Sequence, residues 1–108
     1  MKVIKFSSEL VPLILSGEKT STWRLFDDKD LQPGDRIELF EFGANSSFAK
    51  GSIKTVIESK FKDLKQDDKV GHEAYESDRE MYDTFSGYYK QKVGPETVVK
   101  IIHFEVVQ

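Results

Sequence analysis

The sequence predicts an α+β domain: a small, mostly antiparallel β-barrel with two main helices over its openings. Three observations lead there. Hydrophobic periodicity gives the order β-α-β-β-β-α-β, with short strands between turn signals. The closing stretch Val98 to Val107 is apolar on both faces except at Lys100, His103 and Glu105, which places it centrally in a sheet or closed barrel. The 108 residues show no repeat, linker or low-complexity tract, so residues 1–108 are expected to form one domain.

Each element has its own signal. Val3-Ile4-Lys5-Phe6 reads as a first strand. Ser7-Ser8-Glu9 offers N-cap candidates, and Leu10, Val11, Ile14 and Leu15 share one helical face. Pro12 fits only near a helix start, so this helix begins at Val11 or Pro12, and Gly17 ends it. Thr20 to Leu25 is a strand with Thr22 and Arg24 on one face and Trp23 on the other, followed by the charged turn Asp27-Asp28-Lys29-Asp30. Leu31-Gln32-Pro33-Gly34-Asp35 has the Pro-Gly order of a type II turn. Strands follow over Arg36 to Phe42 and Phe48 to Glu58, the second with a bulge or bend expected at Gly51. Phe61 to Gly71 reads as a loop in which Leu64 anchors a single turn. Ser77-Asp78-Arg79-Glu80 is a capping-box sequence, and Met81, Phe85 and Tyr88 or Tyr89 then recur at helical spacing, predicting a helix from Asp78 to about Tyr89.

Composition narrows the chemistry. Eight Phe, four Tyr and one Trp can supply much of a modest core, with Phe40, Phe42, Phe85 and Phe104 assigned to it. There is no cysteine, which excludes disulfides, thiol catalysis and thiolate metal sites. His72 and His103 lack metal-motif spacing, so neither a metal nor another cofactor is expected. The formal charge of −3 argues against broad phosphate binding but is compatible with a nucleoside-sized ligand. No apolar run is long enough to span a bilayer, and the N-terminus lacks a signal-peptide pattern. A cytoplasmic protein without membrane partners is expected.

The densest group of polar side chains is Gly17-Glu18-Lys19-Thr20-Ser21-Thr22-Trp23-Arg24. A threonine hydroxyl needs a base to become a nucleophile, and a lysine neutralised by burial or a nearby cation can be that base. Arg24 could be that cation or could bind substrate oxygen. On spacing alone, a solvated lysine at a helix C-terminus and an ordinary strand threonine are the simpler reading. The strand periodicity adds a condition: the chain must bend near Lys19 for its amine to reach Thr22. Glu73, Glu76, Asp78 and Glu80 could all be first-turn acids, or one could orient a lysine or move protons to a leaving amine. Tyr75 is the aromatic placed for ligand contact.

The Gly-x-Lys-x-x-Thr-x-Arg motif, followed by Leu31-Gln32-Pro33-Gly34-Asp35 before a strand, resembles the ASCH domain of the PUA-like superfamily over nearly the whole chain. The resemblance implies a PUA-like β-barrel with a cleft lined by the motif. It also implies RNA or nucleotide binding or, in small bacterial members, an amidohydrolase that converts N4-acetylcytidine to cytidine and acetate. That activity is associated with a lysine, a threonine and a glutamate. The first two map onto Lys19 and Thr22. Alignment on the histidine of His72-Glu73-Ala74-Tyr75-Glu76 selects Glu76 as the third, with Glu73 as the fallback. Arg24, Tyr75 and Glu73 are then expected to bind substrate. The central loop and second helix differ in length from those of the small amidohydrolases, which bears on substrate more than on fold. A non-catalytic RNA-binding module and a ribonuclease using the same cleft are the alternatives.

Overall fold

The computed structural model describes residues 1–26 and 29–107; Asp27 and Asp28 of the charged turn lie outside them. In chain order the elements are β1 (Lys2–Phe6), α1 (Val11–Ser16), β2 (Ser21–Arg24), β3 (Arg36–Glu41), β4 (Ala49–Lys60), α2 (Asp78–Tyr89) and β5 (Val98–Val107). Short 3-10 turns occupy Ser8–Leu10, Phe61–Asp63 and Gln66–Lys69.

The five strands form one sheet in the order β1-β3-β4-β5-β2. Only β1 and β3 are parallel; the other neighbouring pairs are antiparallel. Strand β5 pairs with β4 on one side and β2 on the other, the central place expected for it. Its alternation divides the interior: Ile102 and Phe104 join Ile4, Ile14, Ile37 and Leu39, while Val99 and Ile101 join Trp23, Phe61, Met81 and Phe85.

The expected barrel is not closed. β1 and β2 are the edges of the sheet and do not pair with each other. The carbonyls of β1 that would face a closing strand take side chains instead. Arg24 Nη2 donates to Lys5 O at 2.9 Å, and Lys29 Nζ donates to Val3 O at 2.7 Å. Cationic side chains thereby satisfy and blunt an edge that a four-residue β2 leaves unpaired.

Local departures have equally local causes. α1 starts at Val11 with Pro12 in its first turn, but six residues bury only Ile14 fully and leave Leu15 55% exposed. The irregularity of β4 falls between Ile53 and Thr55, not at Gly51. Gly51 is instead a close approach, since a Cβ there would sit 2.5 Å from Glu105 O. Phe61, rather than Leu64, is the buried anchor of the central loop. Phe40 is only partly buried and Phe42 lies exposed, so neither is the core residue expected, whereas Phe85 and Phe104 are. Ser77 caps α2 by accepting from Glu80 N at 3.1 Å.

Candidate functional site

The helix-to-strand junction after α1 creates the site. Gly17 adopts φ +85°, which turns the chain out of the helix, and Lys19 N donates to Leu13 O at 3.0 Å. The expected bend near Lys19 is present, and it brings the amine to Glu73, with Thr22 lining the same cavity. It carries the Lys19 side chain inward, where it is only 4% exposed. A second stretch is brought to it from far along the chain. Gly71 O accepts from both Thr20 N (2.9 Å) and Ser21 N (3.2 Å), while Thr20 O accepts from Phe104 N at 3.0 Å. Gly71 has φ +76°, and an added Cβ would collide with Thr20 Oγ1, so glycine is required on both counts.

That pin places Glu73 against Lys19. Lys19 Nζ donates to Glu73 Oε2 at 2.6 Å. His72 Nδ1 lies 3.0 Å from Glu73 O and 3.3 Å from Glu73 Oε2, and its ring stacks on Trp23 with centroids 3.9 Å apart. Beside them Arg24 Nε donates to Thr22 Oγ1 at 3.1 Å, and the Arg24 guanidinium carbon lies 5.2 Å from the centroid of the Phe6 ring. A cavity of about 220 Å³ joins these groups; Lys19, Thr22, Arg24, His72, Glu73 and Tyr75 all line it.

Burial sets the electrostatics. It pushes Lys19 below the ordinary lysine value; Glu73 opposes the shift and the Arg24 cation adds to it. His72 is lowered to about 4, first by burial and then by the Lys19 charge, so the imidazole is neutral near pH 7. Burial works against the Glu73 carboxylate but is outweighed by His72 and by the hydrogen bond and charge of Lys19, which hold it below its usual range. Burial, then the Glu73 charge, raises Tyr75. Together these effects leave an ion pair in which burial disfavours the lysine charge while His72 and Lys19 keep the carboxylate ionised.

The expected site residues are thus mostly gathered, with two differences. Glu76 is exposed, away from the cavity, and the carboxylate on Lys19 is Glu73. Two residues, Ala74 and Tyr75, separate the two acids, and the Gly71 pin brings the nearer one to Lys19. Trp23 and Thr22 line the same cavity despite their alternation along β2. Sequence reasoning missed the Trp23–His72 stack and the cavity positions of Phe42 and Tyr88; periodicity marked those two only as element residues. Trp23 Nε1 is buried without a hydrogen-bond partner among the described residues, which costs about 1–3 kcal/mol. No group of three or more histidine or acidic side chains among the described residues is arranged to hold a metal. No helix among them is long and apolar enough to cross a membrane.

Comparison with solved structures places this arrangement among known folds. The ASCH domain from Lactobacillus crispatus JV V101 matches with a TM-score of 0.72 over 97% of this chain and 79% of its own, at 13% identity. The chain carries the ASCH-domain fold. Protein EF3133 from Enterococcus faecalis V583, of the DUF984 group, matches this fold with a TM-score of 0.79 at 19% identity, covering 98% of this chain and 79% of its own. Hypothetical protein PH0355 matches with a TM-score of 0.73 at 25% identity, covering 99% and 100%. No family profile and no curated protein matches the chain. The ASCH resemblance read from the motif is therefore carried by the fold.

Proposed function

We propose that this protein is an amidohydrolase that cleaves the acyl amide of an N4-acylated cytidine, with N4-acetylcytidine the simplest substrate. The supporting observation is the pairing of buried Lys19 with half-buried Glu73 at 2.6 Å in a cavity shared with Thr22 and Arg24. At about 220 Å³ the cavity is smaller than the roughly 300–1,000 Å³ of drug-sized sites, so it suits an acylated base and leaves attached groups outside.

The resting pair is ionic; the reactive form is its minor tautomer, in which the proton has passed along the 2.6 Å hydrogen bond from Lys19 to Glu73. Thr22 Oγ attacks the acyl carbon and its proton passes to Lys19. Arg24, which holds that oxygen, stabilises negative charge developing on the adjacent carbonyl oxygen. The C–N bond breaks, and the exocyclic amine leaves with the proton from Glu73. Water then attacks the acyl-Thr22 ester and gives a proton to Glu73. Thr22 departs with the proton of Lys19, so acetic acid is released and the starting state returns. If Thr22 only positions substrate, the same pair activates water directly.

Incubation of the purified protein with N4-acetylcytidine should release cytidine, followed by chromatography. Lys19→Ala and Glu73→Gln should each lose ~10²–10⁴-fold in rate, while Glu76→Gln keeps it. No turnover by the wild type, or undiminished turnover by Lys19→Ala, overturns the assignment. Retention of most activity by Thr22→Ala selects the water route.

A further inference from the structure

Scattered exposed apolar side chains are ordinary on a protein surface. Leu15, Ile57, Val70 and Val107 are of that kind. Phe42 and Tyr88 differ: they are 62% and 64% exposed, yet both line the cavity that holds Lys19 and Glu73. They come from separate parts of the fold. Phe42 follows β3 and is fixed by donating its N–H to Phe6 O at 2.9 Å. Tyr88 projects from α2, with its ring edge-on to Phe85 at 6.2 Å. The inner aromatic rings have partners already: Trp23 stacks on His72 and on Phe85, and Tyr75 packs against Phe85. Ring surface at Phe42 and Tyr88 is left in water, at a cavity too small to enclose a whole nucleoside.

We propose that Phe42 and Tyr88 form a stacking subsite for the heteroaromatic ring of the leaving amine. They are specificity-determining residues that favour acyl amides of planar bases over those of aliphatic amines. The identity of the ring rests on the amidohydrolase reading, whereas the subsite itself rests on the two exposed aromatic walls. An aliphatic amine offers no π-face to cover them. A pyrimidine does, and stacking on an aromatic side chain is tolerant of ring identity.

The test uses Phe42→Ala, Tyr88→Ala and the double variant, with Ile57→Ala as an exposed control outside the cavity. Two readouts are taken: KM for N4-acetylcytidine, and calorimetric affinity for cytidine, which needs no turnover. Thermal melts check that the variants fold. Each cavity variant should raise KM and weaken cytidine binding roughly 5- to 100-fold, and the control should change neither. Turnover with unchanged KM and cytidine affinity in the double variant overturns the subsite and leaves the amidohydrolase reading standing. Absence of turnover, with cytidine binding that the cavity variants lose, upholds the subsite and removes the amidohydrolase reading. A wild type that does not bind cytidine overturns the subsite.

Discussion

The two interior clusters are built on opposite principles. One is almost wholly aliphatic, with Ile4, Ile14, Leu31, Ile37, Leu39, Ile53 and Ile102 beside Phe6 and Phe104. The other is centred on rings, Trp23, Phe61 and Phe85, with Tyr75, Tyr82 and Tyr89 packed against it. The polar interior lies beside the second: His72 stacks on Trp23, the Trp23 N–H has no partner among the described residues, and Lys19 is buried nearby. The aliphatic side stabilises the fold through close packing. The aromatic side tolerates polar groups whose burial is unfavourable and holds them in fixed geometry. The two clusters thus differ in what they tolerate, and the cavity opens where the β2 edge lets both border it.

The strongest attempt to break that division is a paired substitution. Ile37→Ala empties a fully buried site in the aliphatic cluster and should cost about 2–5 kcal/mol in chemical denaturation. Lys19→Met combined with Glu73→Leu, which replaces both members of the ion pair by apolar groups, should cost little stability while abolishing turnover. Comparable destabilisation by both would end the distinction.

An intermediate effect concerns pH. His72 has its folded value lowered to about 4 against an ordinary 6.5, so the unfolded chain binds the extra proton first. Its contribution is fully present above pH 6.5 and is lost as pH falls towards 4, by at most roughly 3 kcal/mol. His72→Phe should flatten the stability–pH curve over that window; an unchanged curve would show that His72 is not what acid attacks.

The smallest effect tests how far α2 is an independent cover. Ser77→Ala removes the hydrogen bond to Glu80 N and should cost about 1 kcal/mol. Faster hydrogen exchange should be confined to the first turn of α2. A global loss of protection would make the cap part of the core.

Much of this was legible in the sequence, where short-range physics decides. The Ser77 cap, the Gly17 stop and the central place of β5 are local or periodic signals, and the grouping of Lys19, Thr22 and Arg24 follows from one motif. The open edge was not legible, because no periodicity says that side chains of Arg24 and Lys29 will take the carbonyls of β1. Nor was the choice of Glu73, which depends on a contact between Gly71 and Thr20 across 50 intervening residues.

That contact has a consequence for how the domain can diverge. Glu73 is registered to Lys19 by two main-chain amides and one main-chain carbonyl, with a further main-chain bond from Phe104 N anchoring the same residue, Thr20. Main-chain donors exist whatever the side chains are. The segment from Lys65 to Lys69, beyond the buried Phe61 anchor, can therefore change composition, and even length, without altering the distance between Lys19 and Glu73. A glycine and a peptide ladder, more than any set of side-chain contacts, set the tolerance of this site to sequence drift.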